Sequence, residues 1–567
     1  MADFEPIPYR LRIGVTGHRK LDDTDAVQAT VKRAIDAEVE SLFPKNSRQN
    51  IERVRRAGTT CISFHVVSPL AEGADRVIAR AVLDYPGARL DAVLPLAVDD
   101  YLEDFESQES KTEFRELLAL CRRPVTLRTS RIPDDRHDAG DQAELRRNAY
   151  KQVGEYVVDH CDVLIAVWDG EPARGRGGTA EIVNYAKEQK RPVIRVWNGA
   201  FEVLNRQSNN GLDAAAIDGI DRFNREPITH EQRAHYARNL DHDYFEKPKN
   251  AREIAPGVRE LANRYLFPYY CQASIVAKQS RDRYYRAGKF VYALSALAVG
   301  CAAVGVIFPA VATPAFGAEL ILLILILLAL WQARRKHSHQ AWIENRFLAE
   351  RIRSGIFMAI CGVEPMPIEV LPYMGHSQTV NDWTVRVFDE IWDRLPALNC
   401  HSCEECTILN SYVREAWIGD QVIFHKSKQA RERRARKRLA AAGAIVLPTT
   451  VVAAALHFVL GLWQPEPQIP TIAWIMQHGL DRGFLLVALL FPAIAASLAG
   501  MEAHREHLRL EKRSANMGPQ LERLDRQMAS ASDAQRFENL LHQLDEIMLR
   551  ETQDWLMLMR YVEIKAS

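Results

Sequence analysis

The stretch DVLIAVWDGEPARGRGGTAEIVNYAKEQKRPVIRVW, Asp162 to Trp197, decides how the N-terminal part of the chain folds. Val163 to Trp168 and Pro192 to Trp197 are uninterrupted apolar runs, and between them a glycine-rich loop leads into a helix starting near Thr179. Continuous apolar strands belong to parallel sheets covered on both faces, so the stretch predicts one βαβ unit. Gly175, Gly177 and Gly178 stand just before the helix, where a missing Cβ lets the backbone turn tightly and approach a ligand. A helix N-terminus opening onto such a loop offers N–H groups to an anion, most simply a phosphate. Thr179 reads as an N-cap whose hydroxyl also suits a phosphate oxygen. The same pattern is compatible with an ordinary βα turn that uses glycine for packing.

Upstream the logic repeats. An apolar run from Leu11 to Thr16 ends in GVTGHR (Gly14 to Arg19), with Arg19 suited to bidentate phosphate contact and His18 to a hydrogen bond. This string is neither a dinucleotide-binding GxGxxG nor a P-loop. A second run, Cys61 to Val67, leads into SPLAEGADR (Ser68 to Arg76). There Glu72 and Asp75 suit ribose hydroxyls and Arg76 a carboxylate or phosphate, although the helix dipole alone also favours acids at a helix start. Further strands are predicted at Leu90 to Leu96 and Pro124 to Leu127, with Tyr101 between them as a base-stacking candidate. A polar loop from Ser130 to Asp141 and a helix from Ala143 to His160 complete the alternation. Residues 1–200 therefore read as an α/β domain with a Rossmann-like, mostly parallel sheet. Its glycine and charge clusters fall at strand carboxyl ends, where such sheets bind ligands.

A chain of 567 residues holds more than one domain. Lys+Arg and Asp+Glu are equal at 73 each, so no overall field points to nucleic acid. Nine thinly spread cysteines give no disulfide framework, and the polar opening MADFEPIPYRLR does not read as a signal peptide; a reduced, cytoplasmic N-terminal domain is expected. Residues 201–257 read as a polar connector. Beyond it, Phe290 to Ala312 carries no charge and is long enough for a bilayer core of about 30 Å. A second apolar segment ends at Trp331 before ARRK; a third, Leu439 to Trp463, follows RERRARKRL; a fourth spans Phe484 to Gly500. Basic clusters at Arg281 to Lys289, Arg334 to Lys336, Lys426 to Arg438 and His504 to Arg513 flank these runs on one side, and the intervening loops carry almost none. The positive-inside rule then places both chain termini in the cytoplasm, with the protein in the inner (plasma) membrane. The expectation is an all-α transmembrane part with two helical hairpins and long cytoplasmic helices, at 258–362 and 411–567, separated by a linker at 363–410. His457 is a titratable group within the third span, either lining a pathway or hydrogen-bonding in the packing. Pro448 and Pro492 are expected to kink their helices. CHSCEEC, Cys400 to Cys406, has three cysteines at zinc-like spacing but no second pair, so it reads as a cysteine-bearing turn at a helix start and no metal is assigned.

GVTGHR, SPLAEGADR and DVLIAVWDG…GRGGTAE together resemble the SLOG superfamily over roughly residues 8 to 200. This Rossmann-like group includes the lonely-guy phosphoribohydrolases and the single-strand-binding processing factors. Its members cleave nucleotides at the N-glycosidic bond or sense nucleotide-derived ligands. The lonely-guy loop is PGGxGTxxE with a catalytic final Glu. Here Ile182 occupies that place and Glu181 lies one residue earlier, turned by about 100° on a helix. Nucleoside deoxyribosyltransferases also resemble the region, which keeps Asp169 and Glu181 as a candidate catalytic pair. WIENRFLAERIRSG (Trp342 to Gly355) and LDEIMLRETQDW (Leu544 to Trp555) resemble the SLATT family of membrane effector domains, known in association with SLOG sensors.

The resemblance implies a sensor-effector that binds a nucleotide or nucleotide-derived second messenger and acts on the membrane, in antiviral defence or stress response. The alternatives are a membrane-tethered nucleotide N-glycosidase and a scaffold with a degenerate pocket. Candidate ligand contacts are Gly14, Thr16, Gly17, His18, Arg19, Ser68, Glu72, Gly73, Asp75, Arg76, Asp169, Gly177, Gly178, Thr179 and Glu181. No cofactor is required. The expected partners are the small molecule, the lipid bilayer and further copies of the chain, without nucleic acid.

Overall fold

A computed structural model describes residues 4–42, 60–121, 124–127, 139–172, 178–205, 214–254, 256–335, 337–365, 382–396, 403–462, 479–531 and 533–560. The chain forms two units: an α/β unit, Glu5–Glu226 with Glu369–Glu390, and a helical unit, Met1–Phe4, Pro227–Ile368 and Ile391–Ser567.

In the α/β unit the elements run β1 (Tyr9–Gly17), α1 (Thr24–Leu42), β2 (Ile62–Ser68), α2 (Ala74–Leu83), β3 (Arg89–Leu94), α3 (Val98–Leu102) and α4 (Gln108–Leu120). They continue β4 (Val125–Thr126), α5 (Ala139–Asp159), β5 (Val163–Val167), α6 (Thr179–Glu188), β6 (Val193–Trp197), β7 (Ala200–Val203) and α7 (Ala214–Arg225). The seven strands lie in the order β4-β3-β2-β1-β5-β6-β7. All neighbouring pairs are parallel except β6 and β7. The expected α/β fold with a mostly parallel sheet is thus formed. Every residue of β5 is buried, as its unbroken apolar run requires. After β1 the chain builds outward on one side through β2, β3 and β4; after β5 it builds outward on the other. β1 and β5 are therefore the switch point of the sheet. The edge strand β7 was not foreseen. Asn198 and Gly199 both take positive φ, 48° and 72°, the conformation of a tight hairpin turn, so the WNGAF string folds back on β6. Tyr101, expected to stack on a base, is instead fully buried, packs edge-on against Phe105 and Phe114, and donates its hydroxyl to the Pro69 carbonyl.

At the amino-terminal edge of β1 and β5 sits a buried charge network. Asp162 accepts from the backbone N–H of Arg12 at 2.9 Å and donates its own N–H to the Arg12 carbonyl at 2.7 Å. Its carboxylate also receives the guanidinium of Arg12 at 2.9 Å and, at 2.7 and 3.0 Å, that of Arg386. Burial alone would raise this carboxyl, but Arg12 and Arg386 outweigh it and hold Asp162 well below the usual carboxylate range. Arg386 lies on the helix Trp383–Asp393, within the stretch read from sequence as a linker. On the same helix Glu390 pairs with Arg10, and Trp383 packs where Gly219 of α7 has no Cβ. The amino-terminal edge of the sheet is thereby sealed.

Among its described residues the helical unit contains four helices long and apolar enough to cross a membrane, within Phe267–Ile307, Ala312–Arg335, Asp420–Leu462 and Asp481–Arg505. Leu327, Val451 and Phe458 are each more than 60% exposed, an apolar surface that suits lipid rather than water. Glycines set the closest approaches. A Cβ at Gly305 would lie 2.8 Å from Phe316, and one at Gly500 would lie 2.5 Å from Tyr292. Helix Asp420–Leu462 runs on through Pro448, and helix Asp481–Arg505 through Pro492. Beside Pro448, the hydroxyls of Thr449 and Thr450 donate to carbonyls one turn back, which keeps them off the apolar surface. His457 is not alone: its Nδ1 lies 2.6 Å from Asp481 at the start of the fourth long helix.

Beyond the apolar segments, helix Ser338–Ile360 packs on helix Ala534–Arg560. Trp342 meets Trp555 edge-on with ring centroids 5.5 Å apart, and Arg351 Nη1 lies 3.0 Å from each oxygen of Asp545, both side chains buried. Phe357 stacks on Trp417. The two short motifs at 342–355 and 544–555, nearly two hundred positions apart, are therefore the two sides of one interface. Cys403 opens the helix Cys403–Val413, whereas Cys400 lies outside the described residues.

Replacing Arg386 with Met leaves the buried Asp162 charge with one partner and should cost about 3–5 kcal/mol. Because Asp162 has a lowered folded pKa, the stabilisation is present above its ordinary range near 3.8 and is lost only as pH falls through its depressed folded value. Pulse proteolysis of the full-length protein in urea should show the Arg386→Met deficit unchanged from neutral pH down to mildly acidic pH. An unaltered midpoint would mean that the network does not support the sheet.

Candidate ligand-binding cleft

At the carboxyl ends of β1 and β5 the sheet opens into a cleft of about 640 Å³. One wall is the chain leaving β1, Thr16, Gly17, His18 and Arg19; the opposite wall is Trp168 and Asp169 after β5. Glycine is required at the join. A Cβ at Gly17 would lie 2.4 Å from Ala74 and 2.8 Å from the Val167 carbonyl. Gly73 takes φ +82°, and a Cβ there would strike the Arg19 carbonyl. Two backbone bonds, His18 N–H to the Val167 carbonyl and Ala74 N–H to the His18 carbonyl, both 3.0 Å, then pin the loop between β5 and α2.

Across the cleft, α6 begins at Thr179. Thr179 is not the cap: Gly178 holds that position, and as a glycine it offers no side chain to the first turn. The first N–H groups of a ten-residue helix, flanked by Thr179 and Gly178 on the cleft wall, are thus left open to an anion. Asp169 donates its backbone N–H to His18 Nε2 at 3.2 Å, with its carboxylate 3.3 Å from the same nitrogen. Arg195 fixes this corner from behind, donating to the carbonyls of Trp168 and Asp169 at 3.0 and 2.6 Å.

Of the residues singled out from sequence, Thr16, Gly17, His18, Arg19, Asp75, Asp169, Gly178 and Thr179 line the cleft. Gly14 does not; it gives room to Cys161. Ser68 turns inward to the Leu70 N–H. Glu72 accepts from Ser110 and from the Glu106 N–H, and Arg76 is buried, donating to the carbonyls of Leu70 and Ser110 and to Glu113. Both brace α2 against α4. Gly73 acts through its backbone alone. Glu181 pairs with Lys151 at 3.1 Å, while Ile182, one position on, faces the cleft. Gly177 lies outside the described residues.

Sequence reasoning missed the contribution of α5: Arg146, Arg147 and Tyr150 form the third wall. Their i, i+1, i+4 spacing in ELRRNAY was a legible sign of one polar helix face, but nothing local said that this face looks at β1. Arg146 is neutralised by Asp104 at 2.6 Å, and Tyr150 donates to the same carboxylate. The Arg19 guanidinium lies 5.3 Å from the centre of the Tyr150 ring. Arg19 and Arg147 make no ion pair among the described residues. No protein-family model, no curated protein and no solved structure matches the chain. The reading of the cleft therefore rests on its own chemistry.

That chemistry is two guanidiniums, Arg19 and Arg147, outside any ion pair among the described residues, a helix N-terminus without a side-chain cap, and the carboxylates of Asp75 and Asp169. Among the described residues no grouping of His, Cys, Asp and Glu suits a metal ion. Asp75 is the unusual acid. It is 6% exposed, and burial pushes its carboxyl up to about 7 against the pull of a backbone N–H, Arg19 and Arg76. Between its ordinary range and about 7 the folded protein holds a proton that the unfolded chain releases, so this group lowers stability as pH rises through that interval. Asp75→Asn should remove the penalty and keep an oxygen for the Ala71 N–H. In hydrogen exchange on the full-length protein, α2 of the variant should be better protected than wild type above pH 7 and equal to it near pH 4, by an amount on the order of a few kcal/mol. Equal protection at both pH values would place Asp75 in water.

Proposed function

We propose that this protein is a membrane-anchored sensor-effector whose α/β unit binds a nucleotide or nucleotide-derived second messenger. The observation that carries the reading is the cleft at the sheet's switch point, where Arg19, Arg147 and the uncapped start of α6 converge. Phosphate oxygens would sit at Gly178 and Thr179 between the two guanidiniums. Asp169 and Asp75 would accept from sugar or base, and Trp168 offers a stacking face. The four long apolar helices would cross the inner membrane as two hairpins with both termini in the cytoplasm, a topology supported by the basic clusters beside each run. Ligand binding would favour one arrangement of protomers and so permeabilise or reshape the bilayer. Antiviral defence or stress response is the context that the SLOG and SLATT resemblance suggests.

The N-glycosidase alternative keeps one support, since Asp169 lies in the cleft beside His18. Against it, an aliphatic side chain, Ile182, faces the cleft where the lonely-guy enzymes carry their catalytic Glu, and Glu181 is engaged by Lys151. The full-length protein mixed with a panel of linear and cyclic nucleotides separates the two. Thermal stabilisation with the ligand recovered intact by mass spectrometry is expected. Arg19→Ala and Arg147→Ala should each weaken binding by about 1.5–3 kcal/mol, roughly ten- to a hundredfold. A ligand recovered as free base would make the protein a hydrolase, and no stabilisation by any nucleotide would sink both readings.

A further inference from the structure

A second cavity, also about 640 Å³, lies in the helical unit where the first two long apolar helices meet their basic flanks. Its charged lining is Arg283, Arg286 and Lys289, and among the described residues no acidic side chain lines it. On helix Phe267–Ile307, positions 283, 286, 287 and 290 follow the i, i+3, i+4, i+7 spacing of a single face, so the charges give way along that face to Ala287 and Phe290. The facing helix contributes Ala329 and Gln332. The third side is Ser338, the first residue of helix Ser338–Ile360. This 23-residue helix has no side-chain cap, and His337 before it is left-handed at φ 43°. Ser338 is 7% exposed and lines the cavity.

We infer that this cavity binds the phosphate headgroup of an anionic phospholipid. Arg286, Lys289, the Ser338 hydroxyl and the uncapped helix start would meet the phosphate, with Phe290 and Ala329 against the glycerol and upper acyl chains. Three observations converge on a lipid rather than a free anion. Arg286 and Lys289 have no ion pair among the described residues, since Asp282, the nearest acid on the helix, is engaged by Arg281 and offers Arg286 only its carbonyl. The lining changes from charged to apolar along the helix axis, as a headgroup changes to its tail. Phe290 is 50% exposed and opens the uncharged run, so the apolar end of the cavity faces the same medium as the long helices do. Basic pockets between spanning helices at the cytoplasmic boundary are suited to anionic headgroups in this way. The assignment rests on the proposal that these helices cross a bilayer, and it is independent of the nucleotide cleft.

The test uses full-length protein reconstituted into vesicles of phosphatidylcholine alone or mixed with phosphatidylglycerol, followed by release into detergent and native mass spectrometry. Wild type should carry phosphatidylglycerol through release in preference to phosphatidylcholine. The Arg286→Gln, Lys289→Gln double variant should lose that retention on the order of tenfold. The charge-preserving Arg286→Lys, Lys289→Arg pair should keep it, as should Lys278→Gln, which removes a charge from the same helix outside the cavity and leaves the Arg281–Asp282 pair in place. Retention equal in all variants, or no preference between the two lipids, overturns the site. Displacement of the lipid by inorganic phosphate, with phosphate then retained, overturns the lipid as its occupant. Protein that fails to float with either vesicle overturns the membrane reading itself, an outcome distinct from a folded, floating protein without preference.

Discussion

The carboxylate of Asp162 lies out of water between Arg12 of the neighbouring strand and Arg386, which is 224 positions away in sequence. An isolated charge there would be intolerable, and with two guanidiniums it becomes a register lock. Because the Asp162 N–H also donates to the Arg12 carbonyl and the Arg12 N–H to the Asp162 carboxylate, β5 meets β1 in one register, Ile13 opposite Val163 and Gly17 opposite Val167. At the far end of that pairing the chain turns to opposite sides of the sheet, and the crevice follows. The stabilising network and the candidate site are thus the two ends of the same strand pair.

At the open end the constraint is steric. Gly17 and Gly73 bring β1, β5 and α2 closer than any side chain would permit, and this holds the His18–Arg19 backbone at the mouth of the cleft. The charges then divide by function. Arg76, Arg146 and Arg195 are spent on carbonyls and carboxylates and hold the walls. Arg19 and Arg147 have no such partner among the described residues, and near Arg19 the carboxyl of Asp75 is pushed up by burial. A site with two guanidiniums outside any ion pair among the described residues and a helix start without a side-chain cap suits an anion, with the acids placed to read what the anion is attached to.

The helical unit solves the opposite solvation problem. Its apolar helices keep their side chains outward and bring their backbones together through glycines, whereas its polar helices bury Trp342, Trp555 and the Arg351–Asp545 pair. Breaking a buried ion pair by removing one partner costs far more than the pair contributes over an apolar substitute, so wrong helix partners that leave Arg351 or Asp545 unmatched are penalised. The pair fits a junction that must select one helix partner among several of similar amphipathic pattern.

Strand positions, the parallel sheet, the strand-end loops and the four apolar runs were legible in the sequence, because each rests on local periodicity: unbroken apolar runs, glycine at turns, and uncharged lengths that match a bilayer. Thr16, Gly17, His18, Arg19, Asp169, Gly178 and Thr179 could be read as cleft residues because they follow strand carboxyl ends, a rule of topology that local sequence satisfies. Tertiary structure decided the rest. Glu72 and Arg76 have the composition of ligand contacts, yet α4 claims them. Arg147 and Tyr150 look like a solvated helix face, yet α5 turns them to the cleft. Glu181 and Ile182 differ by one residue, and packing of Ile182 against Gly154 settles which faces inward. Arg386 lies in what reads as a linker. Side-chain destination depends on which surfaces distant segments bring together, and the spacing of residues along one segment carries no record of that.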